Sequence, residues 1–260
     1  MAYEEELNIA RAAAREAGTV ALEYQRKGVT PEAKSDDSPV TIADRESEKL
    51  ISAMLTEAFP KDGLLGEEGA HTEAQSGRRW IIDPIDGTRD FVRGNPLWGV
   101  LIGLEDAGEV VAGVAHFPAL GRTYWASQGQ GAYRDGKKIK ISEKKLPGES
   151  VLLVNGLSLM KGTPLGDRIM PRLAPWMQDF WAVRSLGGSL DACMVAGGEA
   201  EIWIEPKVAP WDLAAHKIIL EEAGAAYFAL DGTPTIYGGN AVACVPALEG
   251  VVRKFLDMRL

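Results

Sequence analysis

The stretch WIIDPIDGTRDF, residues 80–91, decides how the rest of the chain is read. Its first residues are apolar and strand-like, and the strand stops at Asp83. Pro84 pushes Asp83 into an extended conformation and can turn the chain sharply. Gly87 tolerates unusual backbone angles and lets another group come close. A helix beginning near residues 86–88 would point its free N–H groups outward, ready for an anion. One turn therefore offers two carboxylates and an anion cradle side by side. Carboxylate and phosphate repel each other, and Mg²⁺ between them resolves the conflict, because it binds carboxylate oxygens together with substrate phosphate. An Asp-rich turn that only caps a helix is the plainer reading, so further acids in suitable places are needed.

Two segments supply them. In GEEG (66–69), Glu67 and Glu68 sit on a glycine-flanked turn after a short strand. In PWDLAAHKIILEEAGA (210–225), Asp212 stands at the start of an amphipathic helix whose Leu213, Ile218, Ile219 and Leu220 face a core. Helix capping is the plain alternative for Asp212. His216, one turn later on the same face, is read as packing or a pocket edge rather than a metal partner. Rival motifs fail at single positions. A calcium loop starting at Asp83 would have Ile85 and Gly94 where acids belong. A haloacid-dehalogenase signature needs an Asp where Pro84 stands. LDGT (230–233) follows Ala229 and reads as a hairpin turn, and no P-loop pattern occurs.

Around these motifs the chain reads as two halves. Residues 4–26 and 41–58 have helical periodicity, the second ended by Pro60. Strands are expected at 79–83, 98–105, 109–117, 122–127 and 131–134. From about residue 150 strand and helix alternate: strands 150–154, 180–184, 200–204 and 241–245, helices 165–174, 188–196, 211–223 and 246–258. LPGE (146–149) marks a boundary between an N-terminal α+β half, 1–148, and a C-terminal α/β half, 149–260, forming one catalytic unit. The 260 residues carry a net charge of −9 and a pI of about 5.0, which argues against nucleic-acid or anionic-membrane partners. An anionic substrate would then need a metal. No apolar run is long enough to span a membrane, and MAYEEEL lacks the pattern of a signal peptide. Two distant cysteines, Cys193 and Cys244, read as buried thiols of a reduced cytoplasmic protein. Three scattered histidines make a zinc site improbable.

DPIDGT after an apolar strand, GEE upstream, VTIAD (40–44) further upstream and WDLAA…EEAGA near the C-terminus resemble the inositol monophosphatase family of metal-dependent phosphomonoesterases. The order and spacing match along nearly the whole chain. The resemblance implies that family's layered α/β sandwich, of the inositol monophosphatase/fructose-1,6-bisphosphatase type, with alternating helix and sheet layers. It implies about two or three Mg²⁺ ions, held by Glu67, Asp83, the Ile85 carbonyl, Asp86 and Asp212. Asp44 and Thr88, with Glu67, would activate the attacking water, and Gly87 and Thr88 would hold the phosphate. Glu205, seven residues before Asp212, falls where the family contacts the alcohol, and LGGSLDA (186–192), with Gly187, Gly188 and Ser189, falls on the opposite wall. Arg89, Arg184, Asp191, and the ligands Asp86 and Asp212 complete the substrate set, and Lys34 is expected nearby. Homodimers are implied too. Two shared ions can clamp both oxygens of an in-line displacement and lower the pKa of a water from about 15.7 toward 7.

Where the family typically continues DGTTNF, this chain reads DGTRDFVRGNPLWG, which looks more like the histidinol-phosphate phosphatase branch. Arg89 either shapes the phosphate entrance or forms a salt bridge fixing the loop. Glu205 and Asp191 suit a cationic amino alcohol such as histidinol, although a sugar hydroxyl would also accept Glu205. The expected reaction is hydrolysis of L-histidinol phosphate, in histidine biosynthesis. Inositol 1-phosphate is the runner-up, and a non-catalytic acidic metal-binding domain is the alternative from another class.

Overall fold

The computed structural model describes residues 3–33 and 39–257; Lys34 lies outside them. The first half contains α1 (Glu4–Lys27), β1 (Glu32–Ala33), β2 (Pro39–Val40), α2 (Ile42–Ala58), β3 (Gly63–Gly66), β4 (His71–Thr72), β5 (Arg78–Asp86), α3 (Thr88–Val92), β6 (Gly99–Asp106), β7 (Glu109–Phe117), β8 (Arg122–Ser127), β9 (Gly131–Arg134) and β10 (Lys137–Ile139). The second contains β11 (Val151–Val154), α4 (Pro164–Met177), β12 (Ala182–Arg184), α5 (Gly188–Ala196), β13 (Ile202–Glu205), α6 (Pro210–Ala223), β14 (Ala226–Phe228), β15 (Ala241–Cys244) and α7 (Glu249–Phe255).

An eight-stranded sheet runs in the order β10-β9-β8-β7-β6-β5-β3-β4 and is antiparallel except where β3 lies parallel to β5. A five-stranded sheet, β12-β11-β13-β15-β14, is parallel around β11 and antiparallel around β15. Alternation along the strands sets the layers. Trp80 and Ile82 of β5 join the alanine stripe Ala10, Ala13, Ala14 and Ala17 of α1 and Ile51 and Leu55 of α2. Ile81, between them, points the other way and packs with Leu213, Ala214 and Ile218 of α6. On the second sheet Leu153 and Trp203 join that same cluster, whereas Leu152, Val154, Ile202 and Ile204 turn outward to α4 and α7. The result is helix, sheet, helix, sheet, helix, the layered α/β sandwich expected. The middle layer, α5 and α6, belongs to the C-terminal half by sequence yet covers the N-terminal sheet, so the largest buried cluster crosses residue 149.

A glycine pair makes this contact possible. Gly103 of β6 and Gly113 of β7 are register partners. A Cβ on Gly103 would lie 2.6 Å from Ala214 Cβ, and one on Gly113 would lie 2.8 Å from Ala215 Cα. The helix therefore rests directly on the sheet backbone.

Differences from the sequence expectation are local. The last helix is a 3₁₀ turn at Pro246–Leu248 followed by α7, because Pro246 begins a tighter turn. Strand β12 begins at Ala182, later than the expected 180, because Phe180 ends the turn after α4 and packs edge-on against Trp176. β14 is short and pairs with β15 across the connection 229–240, in which the LDGT segment, expected as a hairpin turn, makes only a first tight turn closed by Ala229 N to Thr233 O at 2.7 Å. Trp176 stacks on Phe255 at 3.9 Å in the core, while Trp181 is 73% exposed.

Candidate metal centre and active site

Pairing of β5 with β6 shifts register between Asp83 and Asp86. Pro84, which has no N–H to give the ladder, sits in this irregularity, where proline is tolerated in a sheet. The Ile85 N–H donates to Asp83 Oδ1 at 3.0 Å. The bulge brings the Asp83 and Asp86 carboxylates to one side. Gly87 then adopts φ 86°, and its Cα faces the Leu97 carbonyl so closely that a Cβ would stand 3.1 Å from it. Helix α3 starts at the next residue.

From the C-terminal half, Asp212 arrives on the first turn of α6, where its Oδ2 accepts the Ala209 N–H at 2.7 Å. Oxygens of Asp83, Asp86 and Asp212 all lie within 4.8 Å of one another. Glu67, on the turn after β3, adds a fourth acid beside Asp83 and raises its protonation point further. Its backbone is anchored by Glu67 N to Ile82 O at 3.1 Å. Asp44 is fully buried on α2, not on the surface that its first-turn position suggests. Its Oδ2 accepts from Thr41 N at 2.8 Å and Thr41 Oγ1 at 2.6 Å, and its Oδ1 faces Thr88 Oγ1 at 3.4 Å. The Thr88 hydroxyl also lies 3.2 Å from the Ile85 carbonyl.

Burial first, then mutual repulsion, raises the protonation points of these acids. Asp83 is pushed well above the ordinary carboxylate range, Asp212 to about 7 and Asp86 to about 6. Hydrogen bonding from the Ser189 hydroxyl and amide draws Asp86 partly back down. A hard, oxygen-only donor set whose members oppose one another's charge is what a divalent cation with carboxylate preference relieves. Each acid keeps its proton to higher pH in the folded than in the unfolded chain. Their contribution to stability is therefore complete below the unfolded value of 3.8 and is lost as pH rises through 6 and 7. Metal-free protein should melt roughly 5 °C or more lower at about pH 8 than at about pH 5, and added Mg²⁺ should restore the difference. Thermal melts with and without chelator check this; a chelated protein equally stable at both pH values would contradict the cluster's strain.

Beside the acids opens a cavity of about 350 Å³, lined among others by Asp86, Gly87, Ser189, Glu205 and Lys207. Glu205, at the end of β13, is wedged between Gly156 and Gly188, each of whose Cβ positions would stand 2.9 Å from a carboxylate oxygen. Its Oε2 is buried without a partner. Burial, and next the charge of Asp86, lift Glu205 to about 8.

A sequence profile described as the inositol monophosphatase family matches residues 2–257. The chain belongs to the inositol monophosphatase family. It is 40% identical to a histidinol-phosphatase of Mycobacterium tuberculosis, covering 81% of each chain. It is 38% identical to a histidinol-phosphatase of Chlorobaculum parvum, covering 91% of this chain and 90% of that one. Among solved structures, the extragenic suppressor protein suhB of Bartonella henselae superposes with a TM-score of 0.90 at 27% identity, covering 99% of this chain and 100% of that chain.

Two of the expected substrate residues, Asp191 and Arg184, stand off the cavity. Asp191 is fully buried beneath the pocket wall, not on it. Its Oδ2 accepts from Asn155 Nδ2 at 2.7 Å and Leu186 N at 3.2 Å, so it shapes the 185–188 loop. Arg184 is exposed on the edge strand β12, donates to its neighbour's carbonyl and does not line the cavity. Arg89 does line the cavity. Gly187 lines the same wall.

Three residues had no motif to announce them. Asn155 also accepts from Ser185 Oγ at 2.6 Å; the Asn-Gly dipeptide it begins reads simply as a turn. Lys207 faces the cavity two residues after Glu205. Glu48 is buried on α2 and accepts the Glu68 and Ala70 N–H groups, each at 2.8 Å, fixing the turn that carries Glu67. Its spacing of four from Asp44, on one helix face, was the available signal.

Proposed function

We propose that this chain hydrolyses L-histidinol phosphate to L-histidinol and phosphate with Mg²⁺ bound by Glu67, Asp83, Asp86, Asp212 and the Ile85 carbonyl. Membership of the family makes it a phosphoric monoester hydrolase; the metal's identity and the substrate are what is proposed. The observation that carries the reading is the convergence of three carboxylates from both halves beside the Thr88–Asp44 pair. Bound there, Mg²⁺ supplies Lewis acidity toward phosphate and water. The protein does the rest. The turn at Gly87 and Thr88 presents backbone amides to the phosphate. The Thr88 hydroxyl, between Ile85 O and Asp44, orients the water. Asp44, made more basic by burial, takes the proton. Glu205 faces the alcohol. A buried carboxylate with an unpartnered oxygen favours a substrate ammonium, because a cation beside it restores its charged form; this supports histidinol over inositol. A homodimer is supported by Trp181 and Leu146, both exposed, at neighbouring positions where Trp181 N meets Pro147 O at 3.2 Å. The two unpaired, buried thiols suit the expected cytoplasmic setting.

Phosphate release from L-histidinol phosphate and inositol 1-phosphate, side by side in saturating Mg²⁺, tests the substrate. We expect kcat/KM to favour histidinol phosphate by about 100-fold or more, on the scale of a buried polar group left unpaired by the wrong ligand. A preference for inositol phosphate would keep the chemistry and reassign the substrate. Activity untouched by chelator would remove the metal.

A further inference from the structure

Three buried side chains form a line that ends on half-buried Asp86, in the acidic cluster. Cys193 Sγ lies 3.8 Å from His216 Nδ1, and His216 Nε2 lies 2.9 Å from Ser189 Oγ. Ser189 and Asp86 line the same cavity, and Ser189 stands close enough to the Asp86 carboxylate to draw its protonation point down. His216 is 1% exposed, on the inner face of α6, one turn after Asp212. Trp203 packs edge-on to its ring at 6.2 Å. Burial holds the imidazole neutral, with its protonation point lowered to about 3. A neutral imidazole has one N–H and one bare nitrogen. A thiol can donate or accept; in the tautomer whose Nδ1 accepts from the Cys193 thiol, Nε2 carries the hydrogen. Nε2 then donates to Ser189 Oγ. An oxygen that accepts on that side turns its own hydrogen elsewhere, and the acceptor it meets is Asp86.

We propose that His216 is a positioning residue: through Ser189 it fixes the orientation of the Asp86 carboxylate and so sets how tightly the cluster holds its cation. Outer partners that orient a ligand typically change metal affinity or activity by 10- to 100-fold when removed. The relay needs a neutral donor at the Nε2 position and nothing more from the ring. It therefore predicts which substitution repairs it. His216→Gln places an amide N–H near the Nε2 position and keeps the donor; His216→Leu fills the space and removes it.

The inference rests on the reading of Asp86 as a metal ligand, and one experiment separates the two. Mg²⁺ alone is titrated into metal-free protein, and the rise in melting temperature is recorded; the Mg²⁺ concentration giving half-maximal phosphate release is measured in parallel. We expect His216→Leu to need roughly 10-fold more Mg²⁺ in both assays, and His216→Gln to recover most of that. Ser189→Ala, which keeps the imidazole and its packing, should show the same loss. The Ser189→Ala/His216→Leu pair should be no worse than either alone, as for members of one chain. If His216→Leu does not fold, Ser189→Ala and His216→Gln still decide. Equal Mg²⁺ response in His216→Leu and the parent, additive losses, or a Gln variant no better than Leu would overturn the relay. A parent that Mg²⁺ neither stabilises nor activates would instead remove the metal reading itself.

Discussion

Asp86→Asn should lose phosphate release by a factor of about 10³ or more, about 4 kcal/mol of transition-state stabilisation, while the fold survives. The side chain stays nearly the same size and keeps Ser189 beside it, so no core volume is removed. What disappears is one negative charge from a cluster whose oxygens lie within 4.8 Å. The same loss relieves repulsion: burial and then the neighbouring charges, Asp86 among them, hold Asp83 and Asp212 above their ordinary values. Metal-free Asp86→Asn should therefore melt higher than the metal-free parent at about pH 8, because fewer buried like charges must coexist there. Opposite movements of activity and metal-free stability in one variant distinguish a ligand cluster from a structural acid. A variant retaining activity within about tenfold of the parent, or melting below it without metal, would mean the cation is held elsewhere.

Gly113→Val should be the most destabilising single substitution on the sheet that needs no buried charge. The new Cβ would meet Ile218 Cγ2 at 2.7 Å and Ala215 O at 2.9 Å. Two of its nearest neighbours are helix backbone, which cannot swing aside as a side chain would. Overpacking costs about 1–3 kcal/mol where neighbours can adjust, and here about 3 kcal/mol or more is expected, near 10 °C in melting temperature for a chain of this size. Because α6 carries Asp212, the Mg²⁺ response should weaken together with stability. Gly250→Ala, in α7 with nothing within 4 Å of the new methyl, is the control and should be neutral or stabilising by up to about 1 kcal/mol. If Gly113→Val melts like that control, the helix does not rest on the sheet as described.

Much of this was legible in the sequence because the chemistry sits on local punctuation. Asp83 and Asp86 are separated by a proline, Gly87 needs a positive φ, and Asp212 opens a helix; each is a turn or terminus that composition marks. Strands β6 to β9 and helices α1, α2, α5 and α6 fell within a few residues of expectation because their periodicities are long and unbroken. What escaped depends on contacts between distant segments. Nothing in the local pattern places Asp191 under the pocket wall, because its partner Asn155 lies 36 residues earlier. Asp44 reads as a surface acid until α2 is laid against β5 and its carboxylate is closed off. The His216–Ser189 contact spans 27 residues and two helices, and either residue alone reads as ordinary packing. Short elements such as β14 and β10 have too few residues for a period to show.

The middle helix layer also has a bearing on how the protein is made. The eight-stranded sheet is complete in sequence by Ile139, yet the helix covering the face that holds Ile81, Leu101 and Ala115 begins at Pro210. At about 5–20 residues per second of synthesis, a half-made chain carries that apolar face bare for roughly 4–14 s. During the same interval Glu67, Asp83 and Asp86 are present and Asp212 is not, so the acidic cluster is incomplete. The nascent N-terminal half is the stage most dependent on shielding from other chains, and truncation anywhere between residues 140 and 209 should give an aggregating product rather than a smaller stable domain.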